Sequence, residues 1–119
     1  MDRALITGAS SGVGAELAKN FARDGISVLL CSSPRSRDLP NRRSDSGPSM
    51  SMYTPTENLA LPGAAEGPSA QVDALGLPVD YLVTNAGARI VGLAFQDYAR
   101  GQMTAMLQLN VVTHSELTL

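Results

Sequence analysis

Lysine, histidine and cysteine each occur only once in the 119 residues, as Lys19, His114 and Cys31. A single cysteine excludes an internal disulfide and a metal site built from this chain's thiolates alone. Nine basic against eleven acidic residues give a formal net charge of −2. The sequence therefore lacks the positive surface that nucleic-acid binding as a main function requires, and we predict no nucleic-acid partner and no metal site.

Long apolar runs are also missing. No stretch approaches the roughly 18 consecutive apolar residues of a membrane span. The first residues lack the charged region and apolar core of a secretory signal. We therefore expect a cytoplasmic protein with no membrane partner, and its length is that of one domain.

The first thirty residues have the pattern of a strand, a glycine turn, a helix and a second strand. Short apolar runs predict buried strands over 3–7 and 26–31, the latter ending in Cys31 as a small buried hydrophobe. Apolar residues at helical spacing between Val13 and Ala22 predict the helix, with Gly25 at its C-terminal cap. Two strands joined by a helix pair in parallel through a right-handed crossover.

The middle of the chain has a different composition. Residues 32–69 are rich in proline, serine and arginine, which predicts an irregular or disordered insert, with room for a short strand over 50–54. Order resumes near Ala70 with the end of a helix. A third convincing strand is predicted over 79–84, and a helix over 97–119.

The glycine turn has the features of a phosphate-binding loop. Gly8 permits a sharp reversal, Gly12 lets the backbone approach a pyrophosphate, and Gly14 permits close helix packing. Ser10 and Ser11 add hydroxyl donors, and the following helix directs free N–H groups towards an anion. No Gly-Lys-Ser/Thr follows, which excludes a P-loop. The alternative is a tight turn that binds nothing.

Three motifs resemble those of the short-chain dehydrogenases/reductases. Residues 7–14 match the family signature Thr-Gly-x-x-x-Gly-x-Gly. Residues 84–87 resemble its Asn-Asn-Ala-Gly motif, with threonine at the first position. Asn110, within MLQLNVV, falls where the family places the asparagine of its catalytic tetrad. The resemblance covers residues 3–33 and 70–119.

The resemblance implies an α/β fold, a Rossmann-type doubly wound parallel sheet that is incomplete at about four strands in the order 3-2-1-4. Residues 1–119 would then form a partial NAD(P)-binding domain with the irregular segment 32–69 within it. The fourth strand would be an apolar edge that invites association. The family's equivalent of the helix over 97–119 packs against its copy, which implies a homo-oligomer.

The resemblance also implies a dinucleotide site. The glycine turn would hold the pyrophosphate, the segment after the fourth strand the adenosine ribose, and Asn58-Leu59 the adenine. No acidic residue ends the second strand and Arg35 or Arg37 can meet a 2′-phosphate, so NADP is favoured over NAD. The cofactor-binding residues predicted in this way are Thr7, Gly8, Ser10, Ser11, Gly12, Val13, Gly14, Arg35, Asn58, Leu59, Asn85, Ala86 and Gly87.

The family's proton-transfer residues are missing. A phenol with a pKa near 10 needs a nearby cation to work at neutral pH, and the family supplies a lysine four residues after the tyrosine. None of Tyr53, Tyr81 and Tyr98 has a lysine at that spacing. Asn110 is therefore the single catalytic candidate, and it cannot catalyse the reaction by itself.

Three functions remain in competition. The first is an NAD(P)-dependent oxidoreductase that transfers hydride between a nicotinamide and a small carbonyl or alcohol substrate, represented here by its cofactor half. The second is a truncated, catalytically inactive nucleotide-binding remnant that lacks the Ser/Tyr/Lys active site. The third is an interaction module that uses the fold without a cofactor. His114, one turn after Asn110, is expected to be an ordinary helix-surface histidine.

Overall fold

The structure, a computed structural model, describes residues 2–9, 12–31, 50–53, 59–76, 78–87 and 94–119, and the statements below refer to these. A four-stranded parallel sheet has the order β3-β2-β1-β4, which confirms the predicted order. Its strands are β1 (Arg3–Thr7), β2 (Ser27–Cys31), β3 (Met50–Tyr53) and β4 (Tyr81–Val83).

The strand register brings all four carboxyl ends to one edge of the sheet. Thr7 pairs with Cys31, and Cys31 pairs with Tyr53. On the other side of β1, Ile6 pairs with Val83. We call this side of the sheet the carboxyl edge, and every segment that leaves a strand there begins close to its neighbours.

Four α-helices accompany the sheet: α1 (Gly12–Arg23), α2 (Glu66–Leu75), α3 (Arg100–Leu107) and α4 (Thr113–Leu117). Helix α2 begins at Glu66, inside the segment predicted to be irregular. A π turn over Gln108–Val112 joins α3 to α4 where one regular helix was expected. The rest of the predicted insert, 32–49 and 54–58, lies outside the described residues.

Alternating side chains of β1 and β2 supply two apolar layers, one on each face of the sheet. Ala4, Ile6, Val28 and Leu30 are buried with Ala18 of α1 on one face. The opposite face has a second cluster, composed of Leu5, Leu29 and Cys31, against which Leu59, Val72, Val79 and Leu82 pack. Helices thus cover both faces, as expected of a doubly wound sheet.

One member of the predicted apolar stripe of α1 is not in the core. Val13 has 69% of its surface exposed, whereas Ala18 has 1%. The expectation that Val13 packs on the sheet is wrong, because the first turn of α1 stands beside the glycine turn, beyond the end of β1. Its exposed side chain is left on the side where the carboxyl edge opens.

Hydrogen bonds at the opposite edge set the position of β4. The backbone N–H of Arg3 donates to Asp80 Oδ2 at 2.8 Å, and the N–H of Asp80 donates to the Arg3 carbonyl at 2.9 Å. The Arg3 guanidinium also donates to the Pro78 carbonyl. These contacts hold the start of β4 against β1, so that Asn85 follows at a fixed place.

Candidate functional site

The glycine turn begins at Gly8, directly after β1. Gly8 has φ +67°, and its N–H donates to the Cys31 carbonyl at 2.8 Å, which ties the turn to the end of β2. A Cβ placed on Gly8 would lie 2.8 Å from the Cα of Ala86. Both the backbone conformation and the neighbouring chain therefore demand glycine here.

Gly12 and Gly14 differ in what surrounds them. Gly12 has φ +58°, and a Cβ there would meet nothing within 4 Å among the described residues. A Cβ on Gly14 would lie 2.5 Å from the Gly8 carbonyl oxygen and 2.5 Å from Asn85 Nδ2. The turn is thus closely packed at Gly14 and open at Gly12, where α1 begins and its first N–H groups have no helical partner.

The Thr7 side chain lies beneath the turn. It is fully buried, and its Oγ1 accepts hydrogen bonds from the backbone N–H groups of Asn85 at 3.1 Å and Ala86 at 3.0 Å. Thr7 was predicted as a cofactor-binding residue. Its hydroxyl is already engaged in these bonds, so the side chain acts by fixing the segment after β4.

Asn85 joins that segment to the glycine turn. Its Nδ2 donates to the Gly8 carbonyl at 3.1 Å, on the carbonyl that approaches the Gly14 position most closely. Ala86 is buried and Gly87 is exposed. The structure therefore brings Thr7, Gly8, Gly14, Asn85 and Ala86 together as one connected unit at the carboxyl edge.

Asn110 lies next to this unit. A Cβ placed on Gly87 would be 2.9 Å from Asn110 Oδ1, so the missing side chain at Gly87 makes room for the amide. The Nδ2 of Asn110 donates to the Met106 carbonyl at 2.8 Å, one turn back in α3. Asn110 itself is in the π turn, a form of helix often found at functional sites.

Two residues that the sequence did not single out connect the same region. Thr113, which is fully buried, donates from Oγ1 to the Leu59 carbonyl at 2.7 Å and accepts from Gln108 Nε2 at 3.2 Å. A threonine five residues after a glutamine has no significance in a regular helix. The pairing arises only because the helix widens between them.

His114 differs from its prediction. The residue is half-buried, and its Nε2 atom is buried without a hydrogen-bond partner within the described ranges. The expectation of an ordinary surface histidine is therefore wrong. Four further predicted site residues, Ser10, Ser11, Arg35 and Asn58, lie outside the described residues.

The ionisable groups near the turn offer no nucleophile or acid. Burial raises the pKa of the Cys31 thiol to about 11, so the thiol is neutral at physiological pH. Lys19 donates to Glu16 at 2.6 Å on the exposed side of α1, and this hydrogen bond lowers the pKa of the Glu16 carboxyl. Within the described ranges, no cluster of histidine, cysteine and acidic residues is suited to a metal ion. None of the helices described is both long and apolar enough to cross a membrane.

Similar proteins have this arrangement. Polyprenol dehydrogenase of Mus musculus is 31% identical over 90 residues, which cover 73% of this chain and 27% of that protein. The structure of a 3-oxoacyl (acyl-carrier-protein) reductase from Agrobacterium tumefaciens C58 with NADP bound matches with a TM-score of 0.79 at 27% identity, over 98% of this chain and 44% of that one. A 4-hydroxyisoleucine dehydrogenase complexed with NADH shares the fold, with a TM-score of 0.82 at 20% identity, over 99% of this chain and 46% of that one.

The chain spans between 27% and 35% of the length of the curated relatives it matches. The family model for short chain dehydrogenase matches residues 2–119, almost all of the sequence. With the glycine signature, the parallel sheet and the segment after β4 all in place, the chain belongs to the short chain dehydrogenase family and has its Rossmann fold.

Proposed function

We propose that these residues form the NAD(P)-binding part of an oxidoreductase that transfers hydride between a nicotinamide and a carbonyl or alcohol substrate. The contrast between Gly12 and its neighbours carries the proposal. Gly8 and Gly14 are glycines because the protein's own atoms leave no space, whereas Gly12 is surrounded by open space at the start of a helix. That open cradle fits a diphosphate, which needs close approach to backbone N–H groups.

The remaining contacts follow from the carboxyl edge. The first N–H groups of α1 and the hydroxyls of Ser10 and Ser11 would hold the pyrophosphate. The backbone of residues 85–87 would line the adenosine ribose, with Asn58 and Leu59 on the adenine side. When bound, the nicotinamide would supply the hydride acceptor or donor.

Asn110 is proposed as a member of the active site. Its Oδ1 is beside Gly87 and its amide is held by the Met106 carbonyl, so it is fixed at the end of the sheet where the cofactor would lie. An amide held in this way can orient a water molecule or a neighbouring polar group. It has no titratable proton, so the acid or base must come from elsewhere.

NADP is proposed as the preferred cofactor. Ser32 and Ser33 follow Cys31 at the end of β2, and no carboxylate occurs there to repel a 2′-phosphate. Arg35 is close enough in sequence to reach that phosphate. A cytoplasmic location and a homo-oligomer formed through the helical region 97–119 remain predictions of the sequence.

These residues alone are proposed to bind the cofactor without turning over a substrate. The one lysine of the sequence, Lys19, is on α1 and hydrogen-bonds to Glu16, so no Tyr-x-x-x-Lys pair is available. This observation favours the second function, an inactive nucleotide-binding remnant, as the behaviour of the isolated chain. The oxidoreductase activity would need the missing acid/base group.

A titration with NADPH and NADH tests the proposal. The chain should bind NADPH, and should bind it more tightly than NADH. Gly12→Ala should weaken NADPH binding at least about tenfold, because a methyl group would occupy the cradle. Gly76→Ala is a matched control, since Gly76 has φ +59° and open surroundings but follows α2, at the end of the sheet away from the turn.

Both alanine variants carry a similar backbone strain of about 1 kcal/mol, so a difference in binding reports on the site itself. An isolated chain that binds neither NADPH nor NADH would overturn the proposal. Equal binding by Gly12→Ala and Gly76→Ala would show that the glycine turn is not the phosphate site. Turnover of a panel of ketones and alcohols by the purified chain is expected to be undetectable.

A further inference from the structure

A single buried hydroxyl connects two parts of the chain that are 54 residues apart. Thr113 Oγ1 donates to the Leu59 carbonyl at 2.7 Å and accepts from Gln108 Nε2 at 3.2 Å. The hydroxyl therefore uses its proton on one segment and a lone pair on the other. Because Thr113 is fully buried, water cannot replace it in either bond.

Leu59, the first of these partners, belongs to the segment that follows β3. Its side chain packs against the apolar cluster of Leu5, Leu29 and Cys31. Cys31 is the last residue of β2 and its carbonyl also accepts from the Gly8 N–H. Leu59 is thus placed beside the strand whose end holds the glycine turn.

Gln108, the second partner, begins the π turn. The backbone N–H of Thr113 donates to the Gln108 carbonyl, and the Gln108 side chain donates to the Thr113 hydroxyl. These two residues are therefore bonded twice, once through the backbone and once through the side chains. Asn110 lies between them, so this pair fixes the turn that carries it.

We propose that Thr113 is a positioning residue that joins the segment after β3 to the turn bearing Asn110. A dinucleotide along the carboxyl edge would lie between these parts, which the hydroxyl holds in a constant relation to each other. The inference rests on the proposed function, since it assigns Thr113 a role in that same site. It goes beyond it by linking the adenine side of the site to the position of Asn110.

Three variants separate this role from a general effect on folding. Thr113→Val keeps the shape of the side chain and removes the hydroxyl, and Thr113→Ser keeps the hydroxyl. Thr104→Val is the matched control, because Thr104 is exposed on α3 and its hydroxyl donates only within that helix, to the Arg100 carbonyl at 3.0 Å. NADPH binding is measured on each variant at a temperature where circular dichroism shows it folded.

Thr113→Val is expected to weaken NADPH binding about tenfold, because the Leu59 carbonyl and the Gln108 amide both lose a buried partner. Thr113→Ser should bind within about twofold of the unmodified chain, and Thr104→Val should bind equally well. Amide hydrogen exchange without cofactor should rise in Thr113→Val over 59–65 and 108–112 together. Exchange in β1 and β2 should not change, which a general loss of stability would not produce.

Gln108→Met provides a second route if Thr113→Val does not fold. It removes one arm of the bridge, leaves the bond to Leu59, and should weaken NADPH binding about threefold. Normal NADPH binding by the folded valine and methionine variants would overturn the role of Thr113 and leave the proposed function intact. Failure of the unmodified chain to bind NADPH would overturn the proposed function and, with it, this inference.

Discussion

The backbone N–H of Ala86 donates to the side-chain oxygen of Thr7 over 3.0 Å, deep in the end of the sheet. Thr7 is the last residue of β1, and Ala86 follows β4 on the neighbouring strand. One threonine hydroxyl thus determines how the chain leaves β4. The signature threonine is explained by this bond, because a buried N–H at such a place needs an acceptor.

Replacing Thr7 with valine should therefore destabilise the fold. The N–H groups of Asn85 and Ala86 would both lose their bond to the hydroxyl, and we expect the free energy of unfolding to fall by about 2 kcal/mol. Urea denaturation followed by circular dichroism measures this. Thr7→Ser, which keeps the oxygen, should lose less, and equal losses for both variants would contradict the explanation.

Gly14→Ala should destabilise the chain more than Gly76→Ala. An added Cβ at Gly14 would be 2.5 Å from a backbone carbonyl oxygen, which cannot move without moving the turn. Alanine improves helix propensity by about 1 kcal/mol, but overpacking of this kind costs about 3 kcal/mol and dominates. Gly76→Ala meets no atom and should cost about 1 kcal/mol. Thermal unfolding of both variants measures the difference, and the opposite order would contradict the packing described.

The buried thiol of Cys31 makes stability depend on alkaline pH. Burial raises its pKa from 9.0 to about 11, so the unfolded chain releases the proton first as pH rises. The stability that this group contributes is complete below pH 9 and is lost as pH rises through about 11. The loss should reach about 2 kcal/mol. Urea titrations over that range should show a steeper decline for the unmodified chain than for Cys31→Ala, and parallel curves would contradict it.

Exposed apolar residues in the helical region lead us to expect self-association. Leu107 and Val111 have 59% and 53% of their surfaces exposed. Replacing both with glutamine should shift sedimentation velocity profiles towards the monomer, because less apolar surface would be removed from water on contact. A monodisperse monomer in the unmodified chain would contradict the expected homo-oligomer.

The strands and α1 were predictable because their signals are local. A buried strand needs a short apolar run, as in residues 4–6, and the glycine spacing announced the turn before α1. The strand order followed from the family resemblance. Asn85 and Ala86 were identified in the same way, although their bonds to Thr7 were not foreseen.

What the sequence did not reveal depends on contacts between distant segments. Thr113 and Gln108 become partners only through the π turn, and no periodicity in MLQLNVV distinguishes that turn from an α-helix. The exposure of Val13 depends on where α1 begins relative to the end of β1. The start of α2 at Glu66 was hidden because Gly67 and Pro68 suggest a loop, although proline is tolerated in the first turn of a helix.

The π turn also limits which changes in chain length the helical region tolerates. Such a turn contains one residue more than the α-helical turn it replaces, so deleting any one of residues 108–112 would let the helix close into regular form. Everything after the deletion would then rotate by about 100° relative to α3. Thr113 would leave the Leu59 carbonyl even though neither residue had been altered. Insertions and deletions here should therefore be more harmful than most substitutions.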